Sequence, residues 1–520
     1  MDLSASGPSW AIATPHAAGT QAGAEAFARG GNAVDAALHA ATSLAVAYPH
    51  MCGVGGDLFA LVQRPDGEVL AVSSSGRAPA GADPDRVRRE RVTMPVRGPI
   101  PITVPGAVAG WHAVHATGAS LAWPDAFERA IGLAFDGVEV GRSLAEILSA
   151  PDAPHGSDPG LAALFYPDGI PAPHGARFTQ TALGATLRAI AERGPDVLYR
   201  GDVGRAYVEG LRAAGSPITV MDLAAHDAVI LPPLRTPFRD VHVSVAPPNS
   251  QGFALLEILA LTERLELDPD PHGPDAGALA RVFAAAARDR DRHLADPDHM
   301  RVHPSTLLDA GHIASLGDEV RTDAAALPSP RGDTVALVAA DAAGWAVSLI
   351  QSLFWDFGSG ICEPTTGIVA QNRGTCFTLE PDHPNAFAPG KRPAHTLMPV
   401  LVHDERGMVG VAGSMGGYGQ PQINAQTLVH AFVRGATPAE AVAAPRWRIG
   451  RRDDGEPRPW AAVERGVPPA AHDAIRAAGF RVEDVDARTE ALGHAHMIRL
   501  HAHGIEAGAD PRADGGALAG

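Results

Sequence analysis

The pattern of the chain changes once, at Leu327-Pro328-Ser329-Pro330-Arg331-Gly332-Asp333, a Pro/Gly segment expected to be an exposed loop. From 105 up to that point the sequence reads as mainly helical, for instance over Phe253–Leu265 and Leu279–Ala287, where apolar residues recur at helical spacing. Behind it, Thr334–Ala340 and Trp345–Ser352 are two apolar runs closed on Asp341-Ala342-Ala343-Gly344, which predicts a β-hairpin. Further strands are predicted over Val400–His403 and Met408–Val411, after which Gly413-Ser414-Met415-Gly416-Gly417 opens a helix through Phe432. The N-terminal region has its own order. An Ala-rich buried helix over Ala22–Tyr48 is interrupted at Gly30-Gly31-Asn32, and the glycine loop Pro49–Gly56 leads into a hairpin made by Leu58–Gln63 and Val69–Ser73.

With 45% hydrophobic and 19% charged residues among 520, the chain has material for a large core. A formal net charge of −17 without blocks of like charge argues against nucleic acid or an anionic membrane as partner and toward a small molecule. Cys52, Cys362 and Cys376 are too widely spaced for a zinc site or a disulfide framework and are expected as buried thiols. Met1–Trp10 has neither a basic nor an apolar leader stretch, and no run of 18 apolar residues occurs, so a cytoplasmic location is expected. Several familiar chemistries are missing. There is no Walker A loop and no H-E-x-x-H; a G-x-S-x-G around Ser414 fails at Ala412, and a dinucleotide fingerprint from Gly53 fails at Leu58. His494, His496, His501 and His503 are expected as solvated surface rather than metal ligands, because the two pairs have opposite parity on a strand.

Thr334 stands first in a strand directly behind the loop. β propensity alone accounts for such a threonine, but so does a chemical role. If the 333/334 peptide bond were cut, Thr334 would carry a free α-amine of pKa near 8, able to take the proton from its own hydroxyl. Acyl transfer also needs donors for the oxyanion, and Gly416-Gly417, between a strand and a helix, offers two backbone N–H groups there; a plain tight turn is the other reading.

The ordered motifs extend along nearly the whole chain: Gly30-Gly31-Asn32-Ala33-Val34-Asp35, Cys52-Gly53-Val54-Gly55-Gly56-Asp57, Thr103-Val104-Pro105-Gly106, Gln351-Ser352, Gln371-Asn372-Arg373-Gly374, Pro389-Gly390-Lys391-Arg392-Pro393, Gly413 to Gly417 and Asp510-Pro511-Arg512. In these blocks the sequence resembles the γ-glutamyltransferases, N-terminal-nucleophile hydrolases, and especially their shorter γ-glutamyltransferase-like and cephalosporin-acylase-like branch. The resemblance implies an α+β fold, a four-layer αββα sandwich. It implies one precursor that cuts itself into a large subunit, 1–333, and a small subunit, 334–520, which together form one structural domain.

By the same resemblance, Thr334 is the nucleophile with its freed amine as base, Ser352 orients the hydroxyl, and Gly416 and Gly417 are the oxyanion donors. No metal or organic cofactor is implied. Lys391 is read as part of an ion-paired structural turn. The sequence departs from the family where substrate is held. The arginine that grips a glutamyl α-carboxylate aligns near Ser75, with Arg77 two residues on as a substitute. Arg373 replaces a polar group and suits an anionic acyl tail, while His395-Thr396 replace paired serines; Arg373 and His395 are equally open to structural roles. The expected reaction moves the acyl group of a γ-glutamyl or related amide to Thr334 and on to water or an amine. Two alternatives stand beside it: an acylase or amidohydrolase on a glutaryl-type, oxamate-type or specialised-metabolite amide, and an unprocessed binding protein without activity.

Overall fold

The computed structural model describes residues 1–150, 154–322, 332–450 and 459–520. The expected loop at Leu327–Asp333 therefore lies largely outside the described residues. Fourteen strands build two facing sheets: β1 Ser4–Gly7, β2 Trp10–Thr14, β3 Asp57–Gln63, β4 Val69–Ser74, β5 Val229–Leu231, β6 Leu234–Phe238, β7 Val241–Val245, β8 Asp333–Asp341, β9 Ala346–Phe354, β10 Val400–Asp404, β11 Gly407–Ser414, β12 Ala495–His501, β13 Gly504–Ala509 and β14 Gly516–Ala519. The first sheet has the order β1-β13-β12-β11-β10-β7-β6 and the second β14-β2-β8-β9-β3-β4-β5, all neighbours antiparallel.

Period-two alternation sorts each strand between two cores. In β8, Val335, Leu337 and Ala339 face a helical layer, while Ala336, Val338 and Ala340 meet Leu401, Val411 and Ile498 of the other sheet. Ser348 of β9 reaches across the gap, its hydroxyl donating to the Ala412 carbonyl at 2.7 Å. The second sheet is covered by α1 Ala17–Ala28, α2 Ala33–Ala47, α3 Ala107–Ala116, α4 Asp125–Asp136 and α5 Thr181–Arg193. The first is covered by α6 Gly252–Arg264, α7 Ala276–His293, α8 Ala310–Thr322 and α9 Gln420–Leu428. The result is the four-layer αββα sandwich, helix on sheet on sheet on helix.

Local chemistry explains the placement of the N-terminal helices. Asn32 caps α2, its side chain accepting from Val34 and Asp35 N–H while Asp35 accepts from Asn32 N–H, a reciprocal box that restarts the helix after Gly30-Gly31. Every residue of α2 is buried, and its first amide, Ala33 N–H, donates to Asp341 at the β8–β9 turn, fixing the helix across the hairpin. The stretch from 105 to 330 is less uniformly helical than its spacing suggests, because Val229–Val245 supplies β5, β6 and β7, which carry the chain from the edge of one sheet to the edge of the other. No helix among the described residues is long and apolar enough to cross a membrane.

One smaller expectation is corrected. His494 and His496 are fully buried rather than solvated: they share the parity of Ile498, so both rings lie between the sheets, 5.8 Å apart, where burial pushes their pKa values down to about 3 and about 4. His501, at the far end of β12, is exposed beside Glu506. The Pro389–Pro393 turn is ion-paired through Arg392, 3.7 Å from Asp296, while Lys391 itself is held by carbonyls, donating to Pro384 O and to Ala386 O, the latter at 3.1 Å.

Candidate active site

Thr334 enters β8 at an irregularity. Asp333 pairs with Phe354 but Val335 with Gln351, so one extra residue on the β9 side bulges the ladder opposite Thr334 and turns its side chain toward Ser352. The Thr334 hydroxyl donates to Ser352 Oγ at 3.2 Å, both residues being fully buried. Ser352 Oγ in turn accepts from Phe354 N–H at 2.7 Å, which fixes the serine and helps hold Phe354 at φ +85°, a conformation that costs a bulky residue about 1–3 kcal/mol.

Gly416 (φ +143°) and Gly417 (φ +53°) follow β11 in conformations that favour glycine, and a Cβ on Gly416 would lie only 2.4 Å from Ile423. The Gly416 carbonyl accepts from Gly419 N–H at 2.8 Å, so Gly417 N–H, opposed to it across the trans peptide, points the other way. The Gly417 carbonyl accepts from Gln251 Nε2 at 2.8 Å. Gln251 Oε1 and the Tyr418 carbonyl both accept from Arg290 Nη1, each at 3.1 Å. This Gln251–Arg290 brace under the glycine pair was not read from the sequence; its only trace there is a Pro-Pro-Asn-Ser-Gln-Gly turn opening α6. Gly332, two residues ahead of Thr334, packs on Gly417 and Phe354, since a Cβ at 332 would lie 3.0 Å from Gly417 Cα.

The substrate-side candidates separate into three situations. Arg373 is completely buried. Its Nη1 donates to Thr396 Oγ1 at 2.9 Å, its Cζ lies 4.3 Å from the Phe354 ring centre, and its Nε and Nη2 have no hydrogen-bond partner among the described residues. Thr396 is thereby occupied on its hydroxyl, and its carbonyl accepts from Gln251 Nε2 at 2.7 Å.

His395 is committed on both nitrogens: Nδ1 accepts from Leu397 N–H at 3.3 Å, so Nε2 carries the proton and donates to Asp57 Oδ2 at 3.0 Å. Burial, reinforced by the Arg373 charge, pushes the imidazole pKa down to about 3, so it is a neutral donor. Burial raises the Asp57 carboxyl, but hydrogen bonds from His395 and Gln371 and the Arg373 charge outweigh it and hold Asp57 below the usual carboxylate range. Gly76 and Gly106 N–H also donate to Asp57, which makes it the hub joining the 103–106 and 371–374 motifs.

Arg77 is partly exposed and occupied elsewhere, paired with Asp296 at 3.1 Å and Asp298 at 3.5 Å and donating to Gly390 O at 2.8 Å. The structure therefore brings Thr334, Ser352, Gly417, Arg373 and Thr396 into one linked neighbourhood and sets Arg77 on the Pro389–Pro393 turn. A cavity of about 520 Å³ opens beside this neighbourhood, with Phe354, Cys376, Tyr418 and Arg290 in its wall. A buried hydroxyl with a hydroxyl partner, joined through Phe354 to a buried guanidinium, is the kind of arrangement that acyl transfer from a negatively charged amide uses.

The family model described as Gamma-glutamyltranspeptidase matches residues 19–520. The chain is 38% identical to an oxamate amidohydrolase proenzyme of Klebsiella pneumoniae, covering 97% of each chain. It is 34% identical to a glutathione hydrolase-like YwrD proenzyme of Bacillus subtilis, covering both completely. Among solved structures, the cephalosporin acylase from Bacillus halodurans superposes with a TM-score of 0.91 at 30% identity, over 99% of this chain and 97% of that one.

Proposed function

The chain belongs to the gamma-glutamyltranspeptidase family, a group of amidohydrolases and acyltransferases, and from that premise we propose that it is a self-processing enzyme whose substrate is a small amide bearing a carboxylate close to the reacting carbonyl. The observation that carries the substrate assignment is Arg373, a buried guanidinium with two unpartnered nitrogens and no carboxylate within ion-pairing distance among the described residues. The relative named for oxamate supports this reading, because oxamate is a carboxylate joined directly to an amide. The position where a typical member would meet the glutamyl amine is here Cys376, a buried thiol whose pKa burial raises, with no charge to offer a cationic amine.

In maturation, Thr334 Oγ attacks the Asp333 carbonyl carbon, the peptide C–N bond breaks in favour of an ester, and water hydrolyses that ester to leave the Asp333 carboxylate and a free Thr334 amine. In turnover, the amine takes the hydroxyl proton as Oγ attacks the substrate carbonyl, and Gly416 and Gly417 N–H hold the oxyanion. The C–N bond breaks, the proton passes to the departing ammonia or amine, and water or an amine acceptor resolves the acyl-Thr334 ester. Ser352 keeps the hydroxyl oriented, and Arg373 with Thr396 holds the substrate carboxylate; His395, through Asp57, positions the loop that carries Arg373. Arg77 is assigned to the Asp296 turn. The mature form is a pair of fragments, 1–333 and 334–520, in a cytoplasmic setting that suits three free buried thiols.

The test is a substrate series on processed protein. Ammonia release from oxamate and other carboxylate-bearing amides should exceed hydrolysis of γ-glutamyl-p-nitroanilide, and Arg373→Met should abolish that preference. Faster turnover of the γ-glutamyl compound would return the assignment to the family's usual acyl group.

A further inference from the structure

The helices covering the first sheet bring together ligand-bearing side chains that the amide chemistry does not use. Glu257 lies on α6, Asp289 and His293 lie one turn apart on α7, and His312 lies on α8. One oxygen or nitrogen each from Glu257, Asp289 and His312 falls within 4.8 Å of the other two. His312 Nε2 is 2.9 Å from Asp289 Oδ2 and 3.8 Å from Glu257 Oε1, and His293 Nε2 is 3.5 Å from Asp289 Oδ1. Glu257 is completely buried, and among the described residues no N–H or hydroxyl donor reaches either of its carboxylate oxygens, which lie beside the Asp289 carboxylate.

We propose that Glu257, Asp289 and His312 bind one divalent transition-metal ion, best matched by Zn²⁺, with water in the fourth position and His293 orienting Asp289 from outside. Ligand atoms about 2.0–2.1 Å from a tetrahedral ion stand roughly 3.3–3.5 Å apart, and the two His312 separations, 2.9 Å to Asp289 and 3.8 Å to Glu257, lie on either side of that figure. Imidazole with carboxylate oxygens is a donor set that borderline divalent metals accept. Two neighbouring guanidiniums are held elsewhere. Arg292 approaches Asp289 only to 3.9 Å and is held by Glu319 at 2.8 Å, and Arg290 is turned to Asp291, Gln251 and Tyr418. The partly exposed edges of His293 and His312 give the ion a route in.

The ion has no part in the amide chemistry. It ties α6, which begins directly after Gln251, to α7 at the residue next to Arg290, and so fixes both members of the brace under Gly417. The inference does not depend on which amide is the substrate.

Chelator-treated, full-length processed protein titrated with Zn²⁺ by calorimetry should bind one ion per chain, and Co²⁺ should give the visible absorption of a low-coordinate N/O site. Added Zn²⁺ should raise the melting temperature of the wild type. Glu257→Gln and His312→Ala should each weaken Zn²⁺ binding by at least about 100-fold and remove that rise; His312 is partly exposed, so its variant serves if the buried change prevents folding. The absence of saturable one-site binding overturns the proposal, as does binding that survives His312→Ala unchanged.

Discussion

Replacing Arg373 by methionine separates a substrate anchor from a packing residue. A bidentate contact between a buried guanidinium and a carboxylate, once truncated, costs about 3–4 kcal/mol, which corresponds to a ~10²–10³-fold fall in kcat/KM for carboxylate-bearing amides. Because the carboxylate is gripped before and during the chemical step, most of the fall should appear in KM. The effect on stability runs the other way. The variant loses one hydrogen bond to Thr396, worth about 1 kcal/mol, and a stacking contact on Phe354 of about 1–2 kcal/mol. It also removes a fully buried cation with two unpartnered nitrogens, whose desolvation is a penalty of several kcal/mol. Asp57 loses the nearby charge but keeps its donors His395, Gln371, Gly76 and Gly106. The melting temperature should therefore stay level or rise while activity falls. Steady-state kinetics on amides with and without a carboxylate, beside a thermal melt, reads both quantities. Equal loss on both substrate types, or a falling melting temperature with kcat/KM intact, would refute the anchoring role.

Other consequences are open to the same kind of check. Ser352→Ala strands Phe354 N–H and removes the Ser352 partner of the Thr334 hydroxyl, so gel densitometry should show self-cleavage slowed about 10-fold, matching about 1–2 kcal/mol. Gln251→Leu deprives the Gly417 carbonyl of its donor; kcat should drop by about 10²-fold with KM nearly unchanged, whereas a pure KM effect would place Gln251 outside the oxyanion support. Acid should destabilise the fold early. His50 and His395 (each about 3) and His226, His403 and His430 (each about 4) have folded pKa values below the unfolded 6.5, so the unfolded chain binds more protons between those limits. Each such group lowers stability by up to about 1.4 kcal/mol per pH unit as pH falls from 6.5, and urea midpoints should decline from pH 7 to pH 5; a flat profile would contradict the neutral, buried state of these rings.

The parts of the molecule legible in the sequence are those governed by short-range pattern. The Thr334–Ala340 and Trp345–Ser352 hairpin, the Asn32 restart of α2 and the turn at Asp341 follow from spacing and turn chemistry alone. The layer count came from the resemblance, because strands buried on both faces lack the polar alternation that would mark them as central. Strands β5 to β7 escaped notice because Pro232-Pro233 and Pro237 break them into runs too short to stand out from helical surroundings. His494 and His496 misled for a related reason: polar residues on a central strand read as surface until both sheets are in place. The brace of Gln251 and Arg290 joins positions 39 residues apart through side-chain geometry, which no local pattern records.

The central claim is that the chain cuts itself before Thr334 to create its own nucleophile and base. Intact-mass and N-terminal analysis of purified, active wild type tests it most directly. It should show two fragments of roughly 34 and 19 kDa, the smaller beginning Thr-Val-Ala-Leu, with Thr334→Ala remaining a single inactive chain. Amide hydrolysis by an uncut wild-type chain, or a small fragment with any other first residue, would contradict it.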